Sequence, residues 1–405
     1  MKRIILHIGR HKSGTTSLQK SFLQNRKKLL EAGIYYPKEA MREYAHHPLS
    51  EALSSREVRI KGDEVYKKKI VKDFLNEIGN VKQNYILISS EGFQNCRPQD
   101  IKRLFEGYEV TVIFYIRNQI SYLKSAFLQE VHATNYKETI EVFESNFPVD
   151  YYMFVRAWAD SFENIIPNIF SRKDLLGGDV VVDFWEKIII KYFGFSIIYE
   201  QPEFNGFTKN VSLKGSLILF KLRMNRLTEN DVSQYPGLYQ SIGILSEKES
   251  KSISLISPEL RDKVVSKYSK SNSLLTKEYE LSDLEMDNVP EKVDPLYLGP
   301  LQFYEVLLKL IQEDERLLSL KNEFYFAVTF ENNKNVYFEF SEHIHFDSLS
   351  HLYLNNGEQF IKLCQRVKES KRYFLPKDVW ENEKKEIFLK LGEYNIKLAL
   401  YSGND

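Results

Sequence analysis

Three runs of consecutive apolar residues mark the first 120 positions: RIILHI at 3–8, NYILISS at 84–90 and VTVIFYI at 110–116. Each is short and rich in Ile, Val, Tyr and Phe, the signature of a strand buried inside a sheet. The sequence between them is helical in texture. TTSLQKSFLQNRKKLLEAG follows the first run, and RNQISYLKSAFLQEVHA follows the third, with Ile120, Leu123, Phe127 and Val131 at helical spacing. This alternation predicts an α/β fold, a parallel sheet flanked by helices. YMFVRAWADSFEN (152–164) reads as a further helix, IIPNIFSRKDL as a strand breaking into a turn, and GGDVVVDFWEKIIIKYFG as a turn followed by a helix.

Beyond residue 210 the texture changes. SLKGSLILFKLRMNRL and SPELRDKVVSKYSKSNSLLTKEY read as helices, the second with a Ser-Pro start signal. LSDLEMDNVPEKVDPLYLGP (281–300) is acidic and carries three prolines, which marks a linker. The last hundred residues combine a helix (LQFYEVLLKLIQEDERLL) with strand-like FYFAVTF and NVYFEF, a mixed α+β extension without an assignable motif. The expected organisation is a first domain over 1–282, a linker over 283–300 and an accessory region over 301–405. A chain of 405 residues accommodates this at roughly 150 residues per domain.

The 56 basic and 56 acidic residues cancel, so no global field recruits nucleic acid or an anionic membrane. The first forty residues differ, with nine Lys or Arg against Glu31 and Glu39, which suits a small polyanionic ligand. Two cysteines, Cys96 and Cys364, make no disulfide framework and no zinc spacing. No run approaches the roughly 20 apolar residues of a membrane span, and no signal peptide precedes the first strand. The expectation is a soluble, cytoplasmic protein.

The chemistry concentrates in HIGRHKSGTTSLQ (7–19). Glycines and hydroxyl residues at a strand-to-helix turn form a phosphate cradle, where backbone N–H groups and a helix N-terminus hold the anion. Gly9 and Gly14 keep the spacing of a nucleoside-triphosphate loop, G-x-x-x-x-G-K-[ST], but Thr15 stands where its lysine belongs, and the lysine is Lys12, inside the loop. Ser13, Gly14, Thr15, Thr16 and Ser17 supply the cradle. A second anion site follows the third strand: Arg117 ends it, and Ser125 lies two helical turns on. An arginine at a strand's carboxyl end faces the crevice where α/β sheets bind ligands.

These two motifs carry a resemblance. HKSGTTSL resembles the 5′-phosphosulfate loop of sulfotransferases, P-K-S-G-T-T-x-L, with His11 in place of proline. IRNQISYLKS is similar to their 3′-phosphate motif, R-x-P-x-x-x-x-x-S, with Gln119 in place of proline. The likeness runs over residues 1 to about 282 and is closest to bacterial, carbohydrate-type members. It implies a P-loop-like sulfotransferase fold, 3′-phosphoadenosine 5′-phosphosulfate (PAPS) as donor with 3′,5′-ADP as product, no metal, and an acceptor hydroxyl on a glycan. Lys12 then stabilises the charge that develops on the leaving oxygen.

A base is needed for the acceptor hydroxyl. Glu91, at the end of the second strand in LISSEGF, faces the same crevice and can take the proton; His46 and His47, in YAHHPL, are the rivals. Two other readings stay open: a nucleotide kinase, with Glu91 as its acidic metal residue, and a non-catalytic nucleotide- or glycan-binding protein of the same fold.

Overall fold

The structure is a computed structural model. It describes residues 1–9, 13–54, 64–201, 213–228, 234–250, 253–284, 294, 298–331, 335–340, 350–355, 360–362, 365–366, 372–377, 387–391 and 394–402. In chain order its first half runs β1 (Arg3–His7), α1 (Thr15–Gln24), α2 (Arg26–Glu31), β2 (Ile34–Tyr35), α3 (His47–Leu53), α4 (Glu64–Asn80), β3 (Tyr85–Ser89), α5 (Pro98–Leu104), β4 (Glu109–Ile116), α6 (Gln119–Ala133), α7 (Ile140–Asn146), α8 (Tyr151–Ala159) and β5 (Asn164–Ile169).

The five strands form one parallel sheet in the order β2-β3-β1-β4-β5. This is the α/β class expected from the apolar runs, each of which is a strand of the inner three. Ile5 and Leu6 in β1, Leu87 and Ile88 in β3 and Val112 to Ile116 in β4 are buried, as strands covered on both faces must be. Pro167 sits inside β5 at a point where a central strand would lose a ladder bond. It is tolerated because β5 is the sheet's edge.

The segment expected to be one helix after Gly178 is two: a short α9 (Val180–Asp183) continuing as a π-helix, Phe184–Tyr192. Asp179 caps the start by accepting from the N–H groups of Val181 and Val182. Asp183, 1% exposed, accepts from Tyr115 Oη and the Leu176 amide, both at 2.8 Å. Trp185 donates from Nε1 to Ser21 Oγ at 2.8 Å, which fastens this segment to α1. Phe22, Phe184 and Trp185 meet in the core over this face of the sheet.

The second half continues with α10 (Gly215–Leu227), α11 (Leu238–Lys248), α12 (Pro258–Glu278), α13 (Pro300–Glu313) and α14 (Leu318–Phe324), followed, among the described residues, by nine short strands. Chain contacts divide the molecule into two compact units. The first is Met1–Ala126, Ile140–Thr208 and Leu255–Lys292; the second is Phe127–Thr139, Lys209–Ser254 and Val293–Asp405. This grouping cuts across the colinear 1–282 and 301–405 division read from the sequence, because two internal stretches join the C-terminal region. Most of the 283–300 segment lies outside the described residues.

Within the first unit, α12 is capped by Ser257 and packs on α8. Its Asn272 and Gln119 of α6 exchange a pair of buried amide hydrogen bonds at 2.6 and 3.1 Å. Within the second unit, Lys221 of α10, fully buried, donates to the Thr134 carbonyl at 2.7 Å, and Asn225 donates to that of Tyr136 at 2.7 Å. Phe220 stacks on Phe303 of α13 at 4.6 Å. Two sheets complete this unit. One has five strands, antiparallel except where Ala399–Ser402 runs parallel to Phe326–Glu331; the other has four antiparallel strands. Among the described residues no helix is long and apolar enough to cross a membrane.

Candidate functional site

The strand order reverses beside β1, whose neighbours are β3 and β4. Carboxyl ends of parallel strands at such a reversal form the crevice in which α/β proteins bind ligands. The described residues that leave these three strands are Ile8, Gly9, Ser13 and Gly14 after β1, Ser90 and Glu91 after β3, and Arg117 and Asn118 after β4. Every described residue singled out in the sequence except Ser125 and the histidine pair is one of these or lies on the first turn of α1.

Gly14 caps α1 in the left-handed region, φ 78°, where L side chains are rare. A Cβ there would stand 2.7 Å from Val180 Cγ1 and 2.8 Å from Phe170 Cε2. Gly9 is needed for a different reason: a Cβ on it would fall 1.8 Å from the Thr15 methyl. Gly9 therefore lies against the first residue of the helix that Gly14 starts. Helical geometry leaves the first amides of such a turn without acceptors in the helix; the Ser17 amide already donates to the Gly14 carbonyl at 3.1 Å, and no carboxylate sits in the turn. Such a cradle favours an anion by its partial positive charge. Ser13 and Thr15 are buried; Thr16 hydrogen-bonds Tyr44. Lys12, with Arg10 and His11, lies outside the described residues.

Arg117 is half-buried in the turn between β4 and α6, and Ser125, 8% exposed, follows on α6. Asn118 caps this helix by accepting from the Ser121 amide at 2.8 Å. Gln119, which stands where the resembled motif has proline, is spent on the amide pair with Asn272.

The end of β3 gathers residues from three distant stretches. Glu91 Oε2 accepts from Gln19 Nε2 of α1 at 2.9 Å, and Glu91 Oε1 lies 3.9 Å from His47 Nε2. Their side chains are 18% and 23% exposed, so both reach solvent. They line a cavity of about 310 Å³ together with Arg42, Ser50, Glu51, Ser54, Gly92 and Asn95. Arg42 is ion-paired to Glu51 on its wall. The loop carrying Arg42 and Tyr44 holds two non-glycine residues at positive φ, Ala40 and Glu43, conformations that cost energy and cluster at functional sites.

The two adjacent histidines part company. His46 is fully buried, accepts at Nδ1 from the Ser89 amide (3.2 Å) and donates from Nε2 to the Pro37 carbonyl (3.3 Å). Burial pushes its pKa down to about 3. With both nitrogens engaged and no route to solvent, His46 cannot serve an acceptor hydroxyl, and that role is withdrawn from it. His47, one residue on, points into the cavity.

Five residues at this centre were missed in the sequence: His7, Gln19, Ser50, Ser89 and Ser90. His7, the last residue of β1, is fully buried, with Nδ1 2.8 Å from Ser89 Oγ and its pKa lowered by burial to about 4. The only sequence signal was polar residues closing otherwise apolar strands, in LHI and LISSEGF.

No family model and no curated protein sequence matches the chain. Among solved structures it is similar to a sulfotransferase from Alicyclobacillus acidocaldarius, at 12% identity and TM-score 0.34, over 70% of this chain and 97% of that one. It is also similar to a structure from the PezAT chromosomal toxin-antitoxin system of Streptococcus pneumoniae, at 16% identity and TM-score 0.24, over 43% of this chain and 70% of that one. Neither score is high enough to bear on what the chain does.

Proposed function

We propose that the protein is a sulfotransferase that moves a sulfuryl group from PAPS to an acceptor hydroxyl. The observation that carries this reading is the close approach of Gly9 to Thr15 and of Gly14 to Val180 at the strand-order reversal, with Arg117 at the next strand end. The residues fit the donor's two phosphate groups: small residues and helix amides for the 5′ side, Arg117 and Ser125 for the 3′-phosphate. The donor supplies the sulfuryl group and a phosphate leaving group.

Lys12 lies within the loop sequence and is assigned to the leaving oxygen, whose charge an ammonium offsets. The cavity beside Glu91 and His47 receives the acceptor. At about 310 Å³ it is at the small end of the roughly 300–1,000 Å³ range of ligand sites, the size of one ring rather than a long chain. Arg42, Glu51, Glu91 and Asn95 on its wall offer hydrogen-bonding groups to the hydroxyls of a sugar. The proton of that hydroxyl passes to the Glu91–His47 pair. Residues 301–405 are assigned no part in donor binding.

Calorimetry with 3′,5′-ADP, with and without EDTA, tests the donor assignment. Binding that survives the chelator and exceeds that of ATP is the expected result. Binding abolished by EDTA, or tighter ATP binding, favours a triphosphate enzyme instead. Transfer of labelled sulfate to a glycan panel separates an enzyme from a binding protein.

A further inference from the structure

The end of β3 holds a chain of hydroxyls whose protons can be counted. Ser90 Oγ lies 3.0 Å from His47 Nδ1, 2.9 Å from Ser50 Oγ and 3.1 Å from the Gly92 amide nitrogen. Ser50 Oγ is also 2.9 Å from the His47 carbonyl oxygen. A carbonyl only accepts, so the Ser50 proton is committed there. Each hydroxyl has one proton and two acceptor positions. The Ser50–Ser90 bond must then use the Ser90 proton, which leaves Ser90 to accept from Gly92 and from His47 Nδ1.

The opposite arrangement, with Ser90 donating to the imidazole, always leaves one bond of the chain unmade. Burial makes that costly, since Ser50 is 1% and Ser90 0% exposed. The packing is tight enough to hold the chain in place: a Cβ on Gly92 would fall 2.2 Å from Ser50 Oγ.

We infer that Ser50 and Ser90 fix neutral His47 in its Nδ1–H tautomer, so that Nε2, the nitrogen facing Glu91, accepts a proton instead of donating one. The serines are positioning residues; His47 is the group that meets the substrate. What the proton is used for rests on the sulfuryl-transfer reading. As the acceptor oxygen bonds to sulfur and the bond from sulfur to the leaving phosphate oxygen breaks, the hydroxyl proton passes to Nε2. The imidazolium then donates at Nδ1 to Ser90 and faces the Glu91 carboxylate, 3.9 Å away in the resting protein, at Nε2. Glu91, held by Gln19, is the counter-charge to the histidine in this division of roles.

The test is nitrogen NMR on the full chain labelled with 15N-histidine, the His47 signals being identified by their loss in His47→Gln. The expected wild-type spectrum has a protonated Nδ1 and a bare Nε2; a bare Nδ1 overturns the inference and needs no variant. Ser50→Ala releases the Ser90 proton to the imidazole, so the spectrum should invert to a bare Nδ1. An unchanged tautomer in that variant also overturns it. Ser50→Ala should lower sulfuryl-transfer turnover by about 10²-fold, the low end of a positioned base's contribution, and leave 3′,5′-ADP affinity unchanged. A fall in affinity with unchanged turnover would mark Ser50 as structural and defeat the inference. Absence of transfer by the wild-type protein defeats the sulfuryl-transfer reading and not the tautomer, which the spectra decide alone.

Discussion

The loop after β1 and the segment after β3 end at the same crevice but are built by different means. The first is a backbone device. Its shape needs glycine at 14 because φ is 78°, and glycine at 9 because Thr15 leaves no room. The second is a side-chain device, in which Gln19, His47, Ser50 and Ser90 meet Glu91 or one another through hydrogen bonds and close approach. A backbone device dictates residue types over a few consecutive positions. A side-chain device leaves its members free to sit anywhere the fold can deliver them.

Experiments can break this contrast. The largest effect belongs to the side-chain device. Glu91→Gln keeps the contact with Gln19 but removes the charge facing His47, so kcat should fall by about 10²–10⁴-fold while 3′,5′-ADP binding stays level. Near-normal turnover would remove Glu91 from the chemistry.

Arg117→Ala should weaken 3′,5′-ADP binding by about 1.5–3 kcal/mol, the worth of a hydrogen bond to a charged group. Binding of 5′-AMP should barely change, and equal loss for both nucleotides would make Arg117 structural.

Gly14→Ala tests the backbone device. The strain of φ 78° together with contacts under 3 Å to Val180 and Phe170 should cost about 1–3 kcal/mol in denaturant unfolding, along with donor binding. A variant of unchanged stability would show that the loop is more pliable than its geometry implies.

Acid, read over a single pH unit and one histidine, supplies the smallest effect. His7 and His46 are held neutral by burial, with pKa values of about 4 and about 3, against about 6.5 when unfolded. As pH falls below that value, the unfolded chain binds protons that the folded one refuses. Stability is therefore lost by about 1.4 kcal/mol per pH unit for each histidine, down to about pH 4 for His7 and pH 3 for His46. His46→Gln should reduce the slope of unfolding free energy between about pH 6 and pH 5 by one proton's worth. Equal slopes would mean that His46 is not buried neutral.

The same contrast explains what was legible in the sequence. The sheet showed itself because its inner strands are buried on both faces and so carry unbroken apolar runs. The loop showed itself because Gly9, Gly14 and three hydroxyl residues are contiguous. Glu91 was visible as a carboxylate closing an apolar run, but its partners are not near it in sequence: Gln19 is 72 positions away, and Ser50 is 40 from Ser90. His46 and His47 cannot be told apart by type. Only the turn into α3 decides that one ring enters the core and the other the cavity. The break between α9 and the π-helix, and the Gln119–Asn272 pair across 153 positions, left no periodic signal at all.

The interleaving of the two units has a consequence for how the chain is made. All five strands of the parallel sheet are complete once Ile169 has emerged, whereas the second unit draws on residues up to the end of the Ala399–Ser402 strand. At roughly 5–20 residues per second of synthesis, its later parts arrive about 10–50 s after the sheet. Helices α10 and α11, synthesised in that interval, must wait for α13 to cover them. Until α13 emerges, the apolar faces that it covers stay open to water.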